Sequence, residues 1–301
     1  MKIAAILRTD RPTISFEVFP PKRLPVATAA EAEAAMARVK ASVREIAGLR
    51  PAFMSVTCGA AGGSTAGNTA AVAAFVENEC GVPALAHQTC VATGRDRVAA
   101  EVAALHAVGV ENVLCLRGDC PPGADPSAQP RDFAHAVDLV RALKPEGFCL
   151  GGACYPEGHP ECPHLEDDIA HLVEKVDAGL DFLTTQMFFD NNVYFRYLAR
   201  LRNAGVTIPV VAGVMPVTNG RQIERICKLS GTMLPPRFRA IVDRFGDDPS
   251  AMLDAGIAYA TEQAIDLFAN GAAHVHVYTM NKPEVASRIM RNLASILKAG
   301  V

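Results

Sequence analysis

The sequence predicts a (β/α)8 barrel, the TIM-barrel class of α/β fold, with extra helices between the seventh and eighth strands. Three observations lead to this class. Eight strand-like segments alternate with helical ones along 301 residues. Most of these segments are largely apolar rather than strictly alternating, as parallel strands covered on both faces are. No G-x-G-x-x-G turn follows a strand, which argues against the alternative, an open doubly wound sheet.

The strand segments are short apolar runs bounded by turn residues, which is the pattern of buried strands. We assign them to residues 13–19, 52–58, 84–91, 112–118, 149–155, 182–189, 209–215 and 274–280. Helical periodicity lies between and after them, at 27–48, 68–79, 96–108, 133–144, 165–178, 192–204 and 283–298. Glycine follows several of these helices, as it often does at helix C-termini: Gly48, Gly109, Gly179 and Gly205.

The interval 217–273 is too long for one helix. It carries two further helical stretches, near 235–246 and 250–269. We interpret them as an insertion between strands seven and eight, and we expect residues 1–301 to form a single domain.

Bulk composition argues against several classes of function. Half of the residues are hydrophobic, and the net charge is −3 with a pI of about 6.2, which does not suit a nucleic-acid or membrane-surface protein. No apolar run reaches the roughly 18 residues of a membrane span. The N-terminal sequence MKIAAILRTDRP is too polar, and its apolar part too short, for a signal peptide.

The chain has nine cysteines, an odd number spread through a large apolar chain. This usage predicts free thiols in a reducing, cytoplasmic compartment. One cluster contains residue types that bind zinc: Cys149, Cys154, His159 and Cys162. Zinc sites usually pair their ligands at C-x2-C spacing, so we favour core thiols and expect no metal.

In a barrel of this class, binding and catalytic groups gather at the C-terminal ends of the strands. The stretch 112–123, NVLCLRGDCPPG, is the clearest case, because an apolar run ends abruptly in Arg117, Gly118 and Asp119. The first strand carries Glu17 in an apolar frame that would raise its pKa toward that of a general acid. We expect Glu17 and Asp119 to be buried carboxylates facing one cavity, which suggests acid/base chemistry.

Structural roles compete with these assignments. Each carboxylate could instead pair with a cation at the barrel mouth, such as Arg117 or Lys175. His87 could be a satisfied histidine in the upper layer of the barrel, and Lys175 a solvated lysine on a helix surface. A cysteine nucleophile is disfavoured, because His87 and Cys90 are three residues apart on a strand and point to opposite faces.

Seven motifs in order carry a family resemblance: SFEVFPPK, FMSVTCGA, LRGDCPPG, YPEGHPE, KVDAGLDFLTTQMFFD, GVMPV and YTMNK. Together, from about residue 12 to residue 298, they resemble the catalytic domain of the bacterial methylenetetrahydrofolate reductases, without the regulatory extension of the animal enzymes. The resemblance implies a single FAD-binding catalytic domain. It also implies hydride transfer from NAD(P)H through FAD to 5,10-methylenetetrahydrofolate, giving 5-methyltetrahydrofolate by ping-pong kinetics.

By this resemblance, Glu17 corresponds to the general acid, Asp119 to the aspartate beside flavin and pterin, and Gln186 to the residue that hydrogen-bonds the pterin. Tyr278 and Lys282 fall on folate-side positions. The residues that resemble flavin contacts are Thr57, His87, Arg117, Gly118, Asp119, Phe133, Ala153, Tyr155, His159, Asp168, His171 and Lys175.

The chain departs from the family pattern at several positions. Cys58 replaces an aromatic residue, Phe133 a tyrosine, His171 an asparagine, Glu174 an arginine near the phosphates, and Lys282 an arginine. Gly220 replaces an aromatic residue that stacks on substrate in bacterial relatives.

Three alternatives remain open: a proline dehydrogenase-like flavin barrel, a zinc methyltransferase barrel using Cys149, Cys154 and Cys162, and a non-enzymatic folate-binding barrel. The sequence leaves open the choice between NADH and NADPH, the presence of an electron-transfer partner, and whether the chain forms a homo-oligomer.

Overall fold

The computed structural model describes residues 1–21, 28–58, 66–91, 93–119 and 132–299. Residues 120–123 of the stretch singled out above lie outside this range. Eight parallel strands close into a barrel in chain order, β1 to β8, which confirms the predicted fold class. The strands are β1 Thr13–Val18, β2 Met54–Val56, β3 Ala84–Thr89, β4 Asn112–Leu116, β5 Cys149–Cys154, β6 Phe182–Thr185, β7 Val210–Val214 and β8 His274–Tyr278.

Helices surround the barrel. They are α1 Ile3–Ile6, α2 Ala29–Ala47, α3 Ala66–Ala74, α4 Arg95–Ala107, α5 Ala136–Leu143, α6 Leu165–Asp177, α7 Asn191–Asn203, α8 Ile223–Ser230, α9 Pro236–Phe245, α10 Pro249–Ala269 and α11 Pro283–Ala299. A π-helical turn, Phe75–Glu79, continues α3. Two of the helices, α1 and α8, were not predicted. No helix in the described ranges is long and apolar enough to cross a bilayer.

All eight strands are shorter than predicted, and the inserted helices α8, α9 and α10 explain the shortening of β6. The apolar run 182–189 continues past the end of β6 at Thr185. Met187 and Phe189 leave the sheet and pack with Phe238 and Met252 in a separate hydrophobic cluster beneath the insertion. An apolar run therefore marked burial correctly, but the burial is against helices rather than within the barrel.

The bottom of the barrel is closed by the N-terminal segment. Ile3 and Leu7 pack with Leu114 and Phe182 in a cluster inside the barrel. Asn112 anchors this segment: its Oδ1 accepts a hydrogen bond from the Ile3 N–H at 2.8 Å, and its Nδ2 donates to the carbonyls of Met1 and Ala84, both at 3.1 Å. The arrangement leaves the C-terminal ends of the strands as the open end of the barrel.

A polar network crosses the middle of the barrel. Ser15 Oγ lies 2.7 Å from His276 Nδ1, and Ser55 Oγ lies 2.9 Å from His276 Nε2. Ser15 Oγ also donates to the carbonyl of Val275 at 3.3 Å. All three side chains are buried, with at most 2% of any of them exposed. The network forms the floor beneath the open end.

Candidate active site

Two adjacent cavities open at the C-terminal ends of the strands. The first, which we name the mouth cavity, has a volume of about 430 Å³ and includes Glu17, Asp119 and Gln186 in its lining. The second, the side cavity, has a volume of about 490 Å³ and lies between α5 and α6. The two share a wall formed by Leu116, Arg117, Ala153, Tyr155 and His159. An elongated ligand could therefore occupy both at once.

Glu17 lies on β1 and is only 8% exposed. Its backbone is fixed from the loop after β8, where Thr279 Oγ1 donates to the Glu17 carbonyl at 2.8 Å. Asn281 holds the next turn of chain, with its Oδ1 accepting from the Phe19 N–H at 2.7 Å and its Nδ2 donating to the Phe19 carbonyl at 2.8 Å. Burial raises the pKa of Glu17 to about 8, so the side chain is a neutral acid at pH 7.

His87 lies on β3 beside Glu17. Its Nε2 is 3.7 Å from Glu17 Oε2, and burial lowers the pKa of the ring to about 4. Both groups are therefore neutral at pH 7, and the contact is not an ion pair. His87 Nε2 is buried without a hydrogen-bond partner among the described residues, so the alternative of a satisfied structural histidine is wrong.

Asp119 differs from expectation. It lines the mouth cavity, but its side chain is exposed rather than buried. The prediction of two buried carboxylates is therefore wrong for Asp119, because β4 ends at Leu116 and carries the aspartate out to the rim. Arg117, which we considered as a partner for either acid, donates to Glu161 Oε2. Asp119 thus contributes an exposed negative charge at the edge of the cavity.

Two polar side chains are oriented by backbone groups at the end of β6 and just after it. Gln186 Oε1 accepts a hydrogen bond from the Met187 N–H at 2.9 Å, which fixes the amide orientation and leaves Nε2 as a donor. The Tyr278 hydroxyl donates to the Thr185 carbonyl at 2.6 Å. Since that hydroxyl has one proton, Tyr278 can only accept a hydrogen bond from a ligand in the mouth cavity.

Several lining residues were not predicted. Thr184 lies on β6, two residues before Gln186, and lines the same cavity; its Oγ1 is buried without a partner among the described residues. The period of two along a strand could have identified it. One wall of the mouth cavity is apolar and is formed by Met187, Met215, Ile226 and Met280. Met187, Met215 and Met280 follow the ends of strands, where the strand period no longer predicts which way a side chain points. Ile226 belongs to α8, a helix that was not predicted.

The side cavity is lined largely by α6. Lys175 Nζ donates to the Ala153 carbonyl at 3.0 Å, and burial lowers the pKa of the amine, so the alternative of a solvated surface lysine is wrong. Asp168 lines the same cavity, and burial raises its pKa. His171 and Glu174 lie at the exposed edge, where the Glu174 carboxylate pairs with Arg141 of α5 at 2.8 Å.

Three of the predicted site residues line neither cavity. Thr57 follows β2, and its carbonyl accepts from Thr69 at 2.9 Å. Phe133 is buried in the main hydrophobic core, with the Arg95 guanidinium 5.3 Å from its ring centre. Lys282 Nζ donates to Thr218 Oγ1 at 2.6 Å.

The cysteines considered for zinc lie far apart. Cys149 is at the bottom of β5, where its Sγ accepts from the Ala4 N–H at 3.3 Å, while Cys154 is at the top of the same strand. Five residues of strand separate their Cα atoms by about 17 Å, which is too far for one ion. No group of three metal-binding side chains occurs within the part of the chain that the structure describes.

The two cavities fit a planar, polar-edged ring with an anionic extension. His87 Nε2 and Thr184 Oγ1 are buried at the mouth cavity without partners in the described chain, and such atoms are normally hydrogen-bonded. A ring with donors and acceptors on its edges would satisfy them. Arg117 and Lys175 line the side cavity and offer cationic groups to phosphate.

Solved structures of similar shape share the barrel. A Clostridium thermocellum protein described as binding two copies of 5-methyl-5,6,7,8-tetrahydrofolic acid matches with a TM-score of 0.64 and 13% identity, over 98% of this chain and 99% of its own. A 2,3-dimethylmalate lyase matches with a TM-score of 0.53 and 13% identity, over 99% of this chain and 85% of its own. At these identities the likeness shows the fold alone.

Curated proteins found by sequence comparison are more similar to the chain in sequence than these solved structures are. The chain is 31% identical to the Escherichia coli 5,10-methylenetetrahydrofolate reductase over 93% of this chain and 90% of that protein. It is 31% identical to the Arabidopsis thaliana methylenetetrahydrofolate reductase (NADH) 1 over 98% of this chain, but spans only 50% of that plant protein's length. A family model described as methylenetetrahydrofolate reductase matches residues 2–294. The chain therefore belongs to the methylenetetrahydrofolate reductase family.

Proposed function

We propose that residues 1–301 form one FAD-binding catalytic domain that reduces 5,10-methylenetetrahydrofolate to 5-methyltetrahydrofolate with NAD(P)H, in the cytoplasm. One observation carries the proposal: Glu17, a buried acid that is neutral at pH 7, lines the same cavity as Asp119 and Gln186. An enzyme that opens the imidazolidine ring of the folate needs such a proton donor. The NADH in the names of plant relatives does not decide the nucleotide for this chain.

The cavities support FAD as the cofactor. The mouth cavity has the size of a ligand site, and its lining holds two polar atoms, His87 Nε2 and Thr184 Oγ1, without partners among the described residues, which the edge of an isoalloxazine would satisfy. Arg117 and Lys175 would bind the phosphates in the side cavity. When bound, the flavin supplies a carrier for the two electrons that pass from nucleotide to folate. Both substrates would use the mouth cavity in turn, which gives ping-pong kinetics.

The side chains of the mouth cavity would then have distinct roles. Glu17 protonates the amine nitrogen that leaves as the folate ring opens, and the remaining nitrogen forms the 5-iminium cation. Asp119 places a negative charge at the rim, where it stabilises that cation. Gln186 Nε2 donates to an acceptor on the pterin edge. His87 stays neutral and so adds no positive charge beside the cation.

The direct test separates the two half-reactions under anaerobic conditions. Wild-type protein loaded with FAD should be bleached by NADH or NADPH, and methylenetetrahydrofolate should then restore the flavin absorbance. In Glu17→Gln the first step should proceed, while the second slows by about 10²-fold or more, the usual contribution of a general acid. Glu166→Gln changes an exposed glutamate on α6 that lines neither cavity, and it should behave as wild type.

The same assay distinguishes the alternatives. Failure to bind FAD would refute the proposal outright. Reduction of the flavin by a secondary amine such as proline, but by neither nucleotide, would favour an amine-oxidising barrel. Folate binding without any reoxidation in wild-type protein would favour a binding barrel without catalysis. Normal folate turnover in Glu17→Gln would show that Glu17 is not the general acid.

A further inference from the structure

Residues 186–189, which we name the Gln186 segment, leave the sheet immediately after β6. Within it, Gln186 Oε1 accepts a hydrogen bond from the Met187 N–H at 2.9 Å, which ties the orientation of the amide to the local backbone. The next two carbonyls, those of Phe188 and Phe189, accept hydrogen bonds from side chains of the inserted helix α10. The Gln186 amide is therefore linked by short steps to a helix none of whose residues lines the mouth cavity.

The direction of these two hydrogen bonds is fixed, because a carbonyl oxygen can only accept. Gln263 Nε2 donates to the Phe188 carbonyl at 2.7 Å, and the Tyr259 hydroxyl donates to the Phe189 carbonyl at 2.6 Å. A reversed Gln263 amide would place Oε1 against the Phe188 oxygen, where two acceptors repel each other. Helix α10 therefore supplies two donors to consecutive peptide groups of the Gln186 segment.

Helix α10 is held against the barrel by other contacts, so it can serve as a fixed support. Its Ala260, Ala264 and Leu267 are buried in the main hydrophobic core. A Cβ added at Gly256 would lie 1.9 Å from the Val217 carbonyl oxygen, which shows how closely α10 approaches the chain after β7. None of these contacts involves the Gln186 segment.

The stability of α10 does not explain Gln263. This side chain is only 5% exposed, and its Oε1 has no hydrogen-bond partner among the described residues. Burial of an unpaired amide oxygen costs free energy that a methionine of similar length would not. What the amide supplies at this position is the bond to Phe188. A polar group kept at a cost to stability is typical of a functional position.

We infer that Gln263 and Tyr259 are positioning residues, which hold the backbone after β6 so that the Gln186 amide stays oriented toward the folate. Neither side chain lines the mouth cavity, so both act through Gln186 rather than on the ligand. The inference rests on the proposed function, in which Gln186 donates to the pterin. It extends that function by giving the insertion between β7 and β8 a part in folate recognition.

The first experiment measures both half-reactions of Gln263→Met loaded with FAD. The variant loses the donor to Phe188 and also the unpaired Oε1, so one buried polar group lacks a partner before and after the change. The urea midpoint should therefore stay close to that of wild type. The folate concentration that gives half-maximal flavin reoxidation should rise about three- to tenfold, the effect of one hydrogen bond. Flavin reduction by NADH or NADPH should be unchanged.

Thr261→Val is the matched control. Thr261 is buried on the same helix, and its hydroxyl donates to the Ile257 carbonyl within α10 at 2.7 Å rather than to the Gln186 segment. Both half-reactions should stay as in wild type.

Tyr259→Phe is a second test variant, which keeps the question open to experiment even if Gln263→Met does not fold. It removes only the hydroxyl and keeps the ring stacked on Phe238, with 4.1 Å between the ring centres. It should raise the half-saturating folate concentration about three- to tenfold, as Gln263→Met does, and leave flavin reduction by the nucleotide unchanged.

A double-mutant cycle separates positioning from a general loss of structure. Gln186→Met removes the amide itself, so a further change at Gln263 or Tyr259 should have no additional effect on the half-saturating folate concentration. Effects that multiply in the combined variants would show that α10 acts independently of Gln186 and would overturn the inference. Equal slowing of both half-reactions in the single variants, or no change in either half-reaction, would overturn it as well.

Hydrogen exchange at the Met187 N–H tests the same link without folate. In wild-type protein Gln186 Oε1 protects this N–H. In Gln263→Met and Tyr259→Phe it should exchange about tenfold faster or more, while Thr261→Val leaves it unchanged. If wild-type protein lacks folate turnover while Met187 responds, the proposed function fails and the positioning role stands. If wild-type protein turns over folate and Met187 does not respond, the proposed function stands and the inference fails.

Discussion

His87 Nε2 lies 3.7 Å from Glu17 Oε2, and burial makes both groups neutral at pH 7. A buried acid and base at this distance would exchange a proton if the histidine were the stronger base. Here the pKa of about 8 for Glu17 lies above the pKa of about 4 for His87, so the proton stays on the glutamate. The pair therefore presents a proton donor to the cavity without an accompanying cation.

The raised pKa of Glu17 and the lowered pKa of His87 make the stability of the protein depend on pH. The pKa of Glu17 rises on folding from 4.5 to about 8, so the folded state binds the extra proton and stability falls as pH rises through that window. His87 has the opposite sign, but only below its unfolded value of 6.5. Between pH 6.5 and 8, the free energy of unfolding of the wild-type protein should therefore fall by about 2 kcal/mol because of Glu17. In Glu17→Gln this fall should be absent. Urea unfolding at both pH values measures it, with Glu166→Gln as control. Parallel pH dependence in wild type and Glu17→Gln would contradict the raised pKa.

Asn112 anchors the segment that closes the barrel. Asn112→Ala leaves the Ile3 N–H and the Ala84 carbonyl without their partners in a buried site. We expect a loss of about 2–4 kcal/mol in the free energy of unfolding, since buried unpaired groups each cost about 1–3 kcal/mol. Asn203→Ala, at the exposed end of α7, should change stability by less than about 0.5 kcal/mol. A similar effect from both variants would exclude the anchoring role.

Glu174 adds a negative charge at the edge of the side cavity. Glu174→Gln removes that charge and releases Arg141 from its carboxylate partner. Flavin fluorescence should show FAD binding strengthened about two- to fivefold at low salt, as expected for one partly screened charge near a diphosphate. Glu166→Gln removes a charge from the same helix at a place that lines neither cavity, so FAD affinity should not change. Weaker FAD binding in Glu174→Gln would mean that Glu174 organises the site.

Gly220 is the position at which the family resemblance implies an aromatic residue in bacterial relatives. A Cβ added there would be 2.4 Å from the Gly246 Cα, because the two backbones are in contact. Gly220→Phe should therefore lower the melting temperature by roughly 5 °C or more, the effect of overpacking by about 1–3 kcal/mol. Calorimetry measures this. A stable Gly220→Phe protein would show that Gly246 and its neighbours move readily.

Much of the fold followed from pattern. All eight strands were predicted because parallel strands buried on both faces are continuous apolar runs, such as β7 and its neighbours. Helix α1 was missed because four residues are too few to show a period. Helix α8 was missed although Ile223, Ile226 and Cys227 lie on one face and pack together, because its eight residues show the period for only about two turns.

The candidate site was predicted in part. Glu17, Asp119 and Gln186 converge on one cavity, because strand ends meet at one end of a barrel. The exposure of Asp119 could not be foreseen, since it depends on where β4 stops. Position in the chain also gave no warning that Phe133 and Lys282 line neither cavity. Their partners, Arg95 and Thr218, are distant in sequence.

The N-terminal segment that closes the bottom of the barrel limits how ligands can enter and leave. Because Ile3 and Leu7 fill the N-terminal end of the barrel, a ligand cannot pass through the barrel from one end to the other. Under the proposed function, the nucleotide would therefore have to leave through the C-terminal end of the barrel before the folate binds there.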